Sequence, residues 1–146
     1  QITGEILLSS KSYVIISTIV NNPIIPSLFF KQIDDFETLD AFGPAEIIGK
    51  LTTTYTLNYY SNDRGIVTSW KNAQVNTRPL QKMSGKDVLL VRGGMSIRTL
   101  VNDEEFIRQL TLAANSASYV LTVCTGSALL AKTGLLDGWQ ATSKLL

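Results

Sequence analysis

The sequence predicts an α/β fold, a mostly parallel sheet flanked by helices. Three features predict it. DVLLV at 87–91 and YVLTV at 119–123 are short continuous apolar runs, the kind that fill strands buried on both faces. Segments of helical periodicity lie between and after them. Short glycine-bearing loops join the two kinds of element, as in stacked strand–helix units. The 146 residues suit a single domain. A chain of that length buries about two-thirds of its unfolded surface and needs no disulfide to hold a core.

Residues 1–26 stand apart as an N-terminal extension. They are rich in Ile, Ser and Asn, carry Asn21, Asn22, Pro23 and Pro26 as breakers, and contain one β-prone run near Tyr13–Val20. No cluster of catalytic or ligating side chains falls there, and residues 27–146 form the domain proper. Ser27–Ile33 reads as a short apolar strand. Gly43-Pro44 before AEIIGKL predicts a helix starting at the proline, where a missing N–H costs nothing. Tyr55–Ser61 alternates as a strand, and Asn62–Gly65 supplies a turn into another over Ile66–Trp70. Asn102 is expected to cap the helix DEEFIRQLTLAANS, with Glu105 as its capping-box partner. On that helix Phe106, Ile107, Leu110, Ala113 and Ala114 share one face. YVLTV runs into Cys124-Thr125-Gly126 and the helix SALLAKT, closed by Gly134. A turn at Asp137-Gly138 leads to a last strand start over Trp139–Thr142. Trp70 and Trp139 read as core or dimer packing.

Composition excludes several functions. With 13 Lys+Arg against 12 Asp+Glu, the chain lacks the cationic excess of a general nucleic-acid binder. Hydrophobic residues make up 45%, so disorder is excluded. Cys124 is the only cysteine and there is no histidine. A CxxC redox pair, a Cys/His zinc site and any Cys-His or Ser-His catalysis within the chain are therefore ruled out. The longest apolar run near the start, Val14–Val20, is far short of a membrane span. It lacks the flanks of a signal peptide. The expectation is a soluble cytoplasmic protein with no membrane partner.

Reactive groups in parallel sheets collect at the carboxyl ends of the strands. Two loops lie there: Arg92-Gly93-Gly94-Met95 after DVLLV, and Cys124-Thr125-Gly126 after YVLTV. A side chain on a sharp strand-to-helix turn stands proud of the sheet, as in a nucleophile elbow. The amide groups of the helix start then favour a thiolate and an anion developing on bound substrate. A lone cysteine is also an ordinary small hydrophobe, and paired glycines also serve tight turns, so position alone leaves both readings open. Arg92 has two readings, one in which it raises the local positive potential and one in which it simply faces solvent.

The partner motif lies in the order of the segments. DVLLVRGG, an acidic-start helix, VCTG, ALLA, GLLDG and AT resemble the ThiJ/PfpI superfamily in order and spacing. Upstream, DDFETLDAFGPAEIIGKL is similar to that family's first strand-to-helix loop, so the likeness covers about Leu28 to Thr142. It implies a flavodoxin-like, class I glutamine amidotransferase-like fold, incomplete at the C-terminus. It also implies a site: Cys124 as nucleophile, Asp40 as the carboxylate that contacts the thiol in the isonitrile hydratase branch, and backbone N–H groups of Gly94 and Thr125 as an oxyanion pocket beside Gly93. Glu37 and Glu46 are nearby alternatives to Asp40. Thr125 stands where the protease-like branch has histidine, which argues against peptidase activity; Arg92 replaces the usual proline, and Lys144 another usual residue. The implied function is cysteine-dependent chemistry on a small electrophile, isonitrile hydratase-like, with no metal or organic cofactor, a small-molecule substrate and a homodimer. Two other readings are a non-catalytic, amidase-like sensing module of AraC-type transcription regulators and a redox-responsive stress protein.

Overall fold

The computed structural model describes residues 2–8, 12–18, 27–31, 35–50, 56–61, 65–79 and 87–141. Strands β1 (Ile2–Leu8) and β2 (Ser12–Thr18) pair antiparallel in a two-stranded sheet of their own. The sequence pointed to only the second of them. The main sheet contains β3 (Ser27–Lys31), β4 (Thr56–Ser61), β5 (Gly65–Thr68), β6 (Gln74–Pro79), β7 (Val88–Val91) and β8 (Tyr119–Thr122). Its order is β5-β6-β4-β3-β7-β8, and every neighbouring pair is parallel except β5–β6. The predicted class, mostly parallel α/β, is the class observed.

This order places the site. From β3 the chain steps outward through β4 to β6, then returns to the other side of β3 for β7 and β8. The direction reverses between β3 and β7, and in open α/β sheets ligands bind in the crevice outside the carboxyl ends at such a reversal. Register aligns those ends, with Lys31 opposite Val91 and Val91 opposite Thr122.

The helices are α1 (Thr38–Gly49), α2 (Ile97–Leu100), α3 (Glu104–Ser116) and α4 (Gly126–Lys132). All four residues of β7 are buried, and alternation sends them to opposite faces. Leu89 and Val91 join Phe106, Leu110, Ala113, Ala114, Leu129 and Leu130 of α3 and α4 on one face. Val88 and Leu90 join Ala45 and Ile48 of α1 on the other. Helices thus cover both faces, as a parallel sheet requires.

Local expectations need five corrections. Helix α1 begins at Thr38, six residues before Pro44, which lies inside it. Contacts with distant residues, described below, outweigh the proline signal. Asp103, not Asn102, caps α3: its Oδ1 accepts from the Phe106 N–H at 2.9 Å. Glu105 bonds instead to Arg108 and Gln109. Strand β8 is an edge strand, partly exposed rather than buried on both faces. Residues 139–141 form no strand, and Thr142 and Lys144 lie outside the described residues. Trp70 and Trp139 are 53% and 75% exposed, so neither packs a core within this chain. Strand β6 was not anticipated, although its buried Val75 and Thr77 alternate with exposed Gln74, Asn76 and Arg78. The predicted turn at Asn62–Arg64 lies outside the described residues.

Candidate active site

Three loops meet at the carboxyl ends of β3, β7 and β8. The first is the turn from β8 into α4. Cys124 there has φ 54°, in the left-handed region that non-glycine residues seldom occupy. Such strain persists only where the surroundings over-determine it, and it clusters at functional sites. The turn is tight: the Gly126 N–H donates to the Val123 carbonyl at 3.0 Å, and the Ser127 hydroxyl donates to the Cys124 carbonyl at 3.1 Å. Cys124 itself is half-buried at the mouth of the strand. Gly126 sits against β7 so closely that a Cβ would run into the Val91 carbonyl oxygen and lie 2.9 Å from the Arg92 carbonyl carbon.

The second loop, Arg92-Gly93-Gly94, presses on the first. A Cβ on Gly93 would lie 2.5 Å from Thr125 Oγ1, 2.8 Å from Thr125 N and 3.1 Å from Cys124 Cβ. Glycine is required there by the close approach of the Cys124-Thr125 turn, a neighbour the sequence did not indicate. The Gly94 N–H donates to Thr125 Oγ1 at 3.3 Å, near the outer limit for such a bond. Gly93, Gly94, Thr125 and Cys124 are therefore neighbours in the fold. In this arrangement the Thr125 hydroxyl occupies the Gly94 donor.

The third loop, residues 35–40, leads into α1. Asp35 also has a left-handed φ, 55°. Phe36 is fully buried and bridges two partners through its backbone, Ser69 after β5 and Gly94. Its carbonyl accepts from the Trp70 N–H at 3.2 Å, and Thr38 Oγ1 donates to Ser69 Oγ at 3.1 Å. Asp40 stands in the first turn of α1 with its Oδ2 withdrawn from solvent. Glu46, by contrast, is an exposed residue paired with Lys50 at 3.6 Å. Glu37 makes no side-chain cap bond.

The solvent-facing reading of Arg92 is corrected. It is 0% exposed, with its guanidinium carbon 3.9 Å over the Phe36 ring and Nη1 donating to the Gly93 carbonyl at 3.3 Å. Phe36 and Ser69 are site-forming residues that the sequence did not single out, and no spacing marks an arginine as buried. Among the described residues no group of three or more Cys, Asp or Glu side chains is disposed to hold a metal, and no helix is long and apolar enough to cross a membrane.

The chain has known relatives. The DJ-1/PfpI family profile matches residues 27–146. Isonitrile hydratase from Pseudomonas putida is 32% identical over 117 residues, covering 80% of this chain and 50% of that enzyme. The crystal structure of a ThiJ/PfpI family protein from Pseudomonas syringae superposes with a TM-score of 0.71 at 22% identity, covering 81% of this chain and 50% of that one. A two-domain protein from Anabaena variabilis with DJ-1/ThiJ/PfpI-like and ferritin-like domains gives 0.67 at 14% identity, over 82% of this chain and 35% of that one. The chain spans about half the length of the first two relatives. With residues 27–146, most of its length, matched, this chain belongs to the DJ-1/PfpI family.

Proposed function

We propose that the protein is a cysteine-dependent enzyme of isonitrile hydratase type, converting an isonitrile and water to an N-substituted formamide. The observation that carries this reading is the strained Cys124 elbow packed directly against Gly93, with the Gly94 N–H bonded to Thr125 Oγ1 beside it. The 32% identity to an isonitrile hydratase supports it.

In this reading the Cys124 sulfur attacks the terminal isonitrile carbon while Asp40, protonated, delivers its proton to that carbon. The product is a thioimidate, with a new C–S bond and a C=N bond. Asp40, now a carboxylate, takes a proton from water as the water oxygen adds to the same carbon. Asp40 passes that proton to the nitrogen and takes up the proton of the added hydroxyl as the C–S bond breaks, so formamide leaves with the Cys124 thiolate and protonated Asp40 restored. Atoms balance as one isonitrile plus one water. The Gly94 N–H stabilises the oxygen added in the second half, exchanging its 3.3 Å bond to Thr125 Oγ1 for one to substrate. No imidazole is needed, which suits a chain without histidine.

The test is incubation with an aliphatic and an aryl isonitrile, with formamide followed by chromatography. Turnover is expected, and Cys124→Ala is expected to abolish it. Activity retained by Cys124→Ala overturns the mechanism, and no turnover of either isonitrile overturns the assignment.

A further inference from the structure

Arg92 is a charged side chain with no exposure, lodged between two of the three loops that make the site. Burying a cation is costly unless its donors and its face are engaged. Two engagements are plain: the guanidinium face lies on the Phe36 ring at 3.9 Å, and Nη1 reaches the Gly93 carbonyl at 3.3 Å. The second has a geometric consequence. The Gly93 carbonyl and the Gly94 N–H belong to one planar trans peptide and point in opposite directions. A donor that fixes the carbonyl on one side therefore fixes the N–H on the other, and that N–H faces Thr125 Oγ1. Glycine on both sides of this peptide offers little resistance to a flip, so its orientation has to be held from outside. Phe36, the residue under the guanidinium, is also bridged through its backbone to Gly94 and leads into the helix that bears Asp40.

We infer that Arg92 is a positioning residue, which sets the direction of the Gly94 N–H and locks the Phe36–Asp40 segment against the Gly93-Gly94 loop. The planar fork of arginine bonds the carbonyl while its face stacks on the ring, a combination the point charge of lysine does not reproduce. As a determinant of rate this rests on the hydratase reading; as a determinant of peptide orientation it does not.

The experiment therefore has two readouts on Arg92→Lys and Arg92→Met. The first is steady-state turnover of an isonitrile, where kcat should fall roughly 10- to 100-fold with KM within about twofold, the cost of a misaimed donor rather than of lost binding. The second is hydrogen exchange at the Gly94 amide, expected to be at least about tenfold faster while amides of β7 and α4 keep their protection. Arg92→Met is expected to be the more impaired. Parental kcat and parental Gly94 exchange in Arg92→Lys overturn the proposal, and so does acceleration spread evenly over β7, β8 and α4, which marks general destabilisation. Should Arg92→Met not fold, Arg92→Lys and Phe36→Leu, which removes the ring under the guanidinium, give the same two readouts. A parent chain inert toward isonitriles defeats the hydratase reading and leaves Gly94 exchange to decide the role of Arg92.

Discussion

Helices α1 and α3 are nearly equal in length, 12 and 13 residues, and are started in opposite ways. The start of α3 is local. Asp103 caps it through Phe106, acidic Glu104 and Glu105 fill its first turn, and Phe106, Leu110, Ala113 and Ala114 form one buried stripe. The start of α1 is not local. Glu37 at its N-cap contributes no side-chain bond, Pro44 interrupts its interior, and its first residue is tied to Ser69, 31 positions away. Phe36, just before it, is bridged to Ser69 and Gly94. A helix begun by its own cap is set by its own sequence and serves the core. One begun by contacts with two other loops is set relative to those loops, which is what the proposed role of Asp40 opposite Cys124 requires. Substitutions should separate accordingly, in rate for α1 and in stability for α3.

The largest separation is expected at Asp40 and Leu110. Asp40→Asn keeps the shape and removes the proton carrier of the proposed mechanism, so on that proposal kcat for isonitrile hydration should drop roughly 10²- to 10⁴-fold. Its urea midpoint should stay close to that of the parent. A variant that unfolds early but turns over normally would place Asp40 in the structural role and α1 beside α3. Leu110→Ala should do the reverse. The side chain is fully buried in the core shared by β7, α3 and α4, and truncation there costs about 2–5 kcal/mol in denaturant titration. Turnover per folded molecule should be unaffected.

A smaller effect distinguishes the two caps. Asp103→Ala removes the 2.9 Å bond to the Phe106 N–H and should cost about 1 kcal/mol. Glu37→Ala removes no such bond and should lie within about 0.5 kcal/mol of the parent. Equal losses at the two positions would mean that α1 draws on a local start after all.

The same contrast explains what could be read from the sequence. Elements whose causes are local were legible: DVLLV as a strand buried on both faces, the apolar stripe of α3, and the elbow at Cys124. The cap of α3 was missed by one residue because Asn102 and Asp103 are both good caps, and only the bond to Phe106 chooses between them. Elements with distant causes were not legible. Pro44 suggested a helix start that Thr38–Ser69 and the Phe36 bridges overrule. Tyr119–Thr122 has the composition of a buried strand, yet the order of the sheet leaves it at the edge. Arg92 carries a charge, and the loops that enclose it come together only in the fold.

The smallest effect belongs to the outer face of α3. Arg108 donates to both carboxylate oxygens of Glu105 at 2.7 and 2.6 Å, and Gln109 adds a bond at 2.8 Å. The Arg108 bond, then the Gln109 bond, hold the Glu105 carboxyl down at about 2 from its ordinary 4.5. A carboxyl lowered in the folded state adds stability above its unfolded value and loses it as the pH falls toward its folded value. The window is therefore from about 4.5 down to about 2. Both side chains are more than half exposed, so solvent screens the pair and the gain is slight. Urea midpoints of the parent and Glu105→Gln should differ slightly at pH 6 and converge as the pH is taken to 3, and added salt at pH 6 should narrow the same gap. A gap that neither pH nor salt narrows would mean that Glu105 acts through the packing of its stem and not through its charge. On the proposed function neither outcome should alter turnover of an isonitrile, because the Glu105 and Arg108 side chains are turned to solvent.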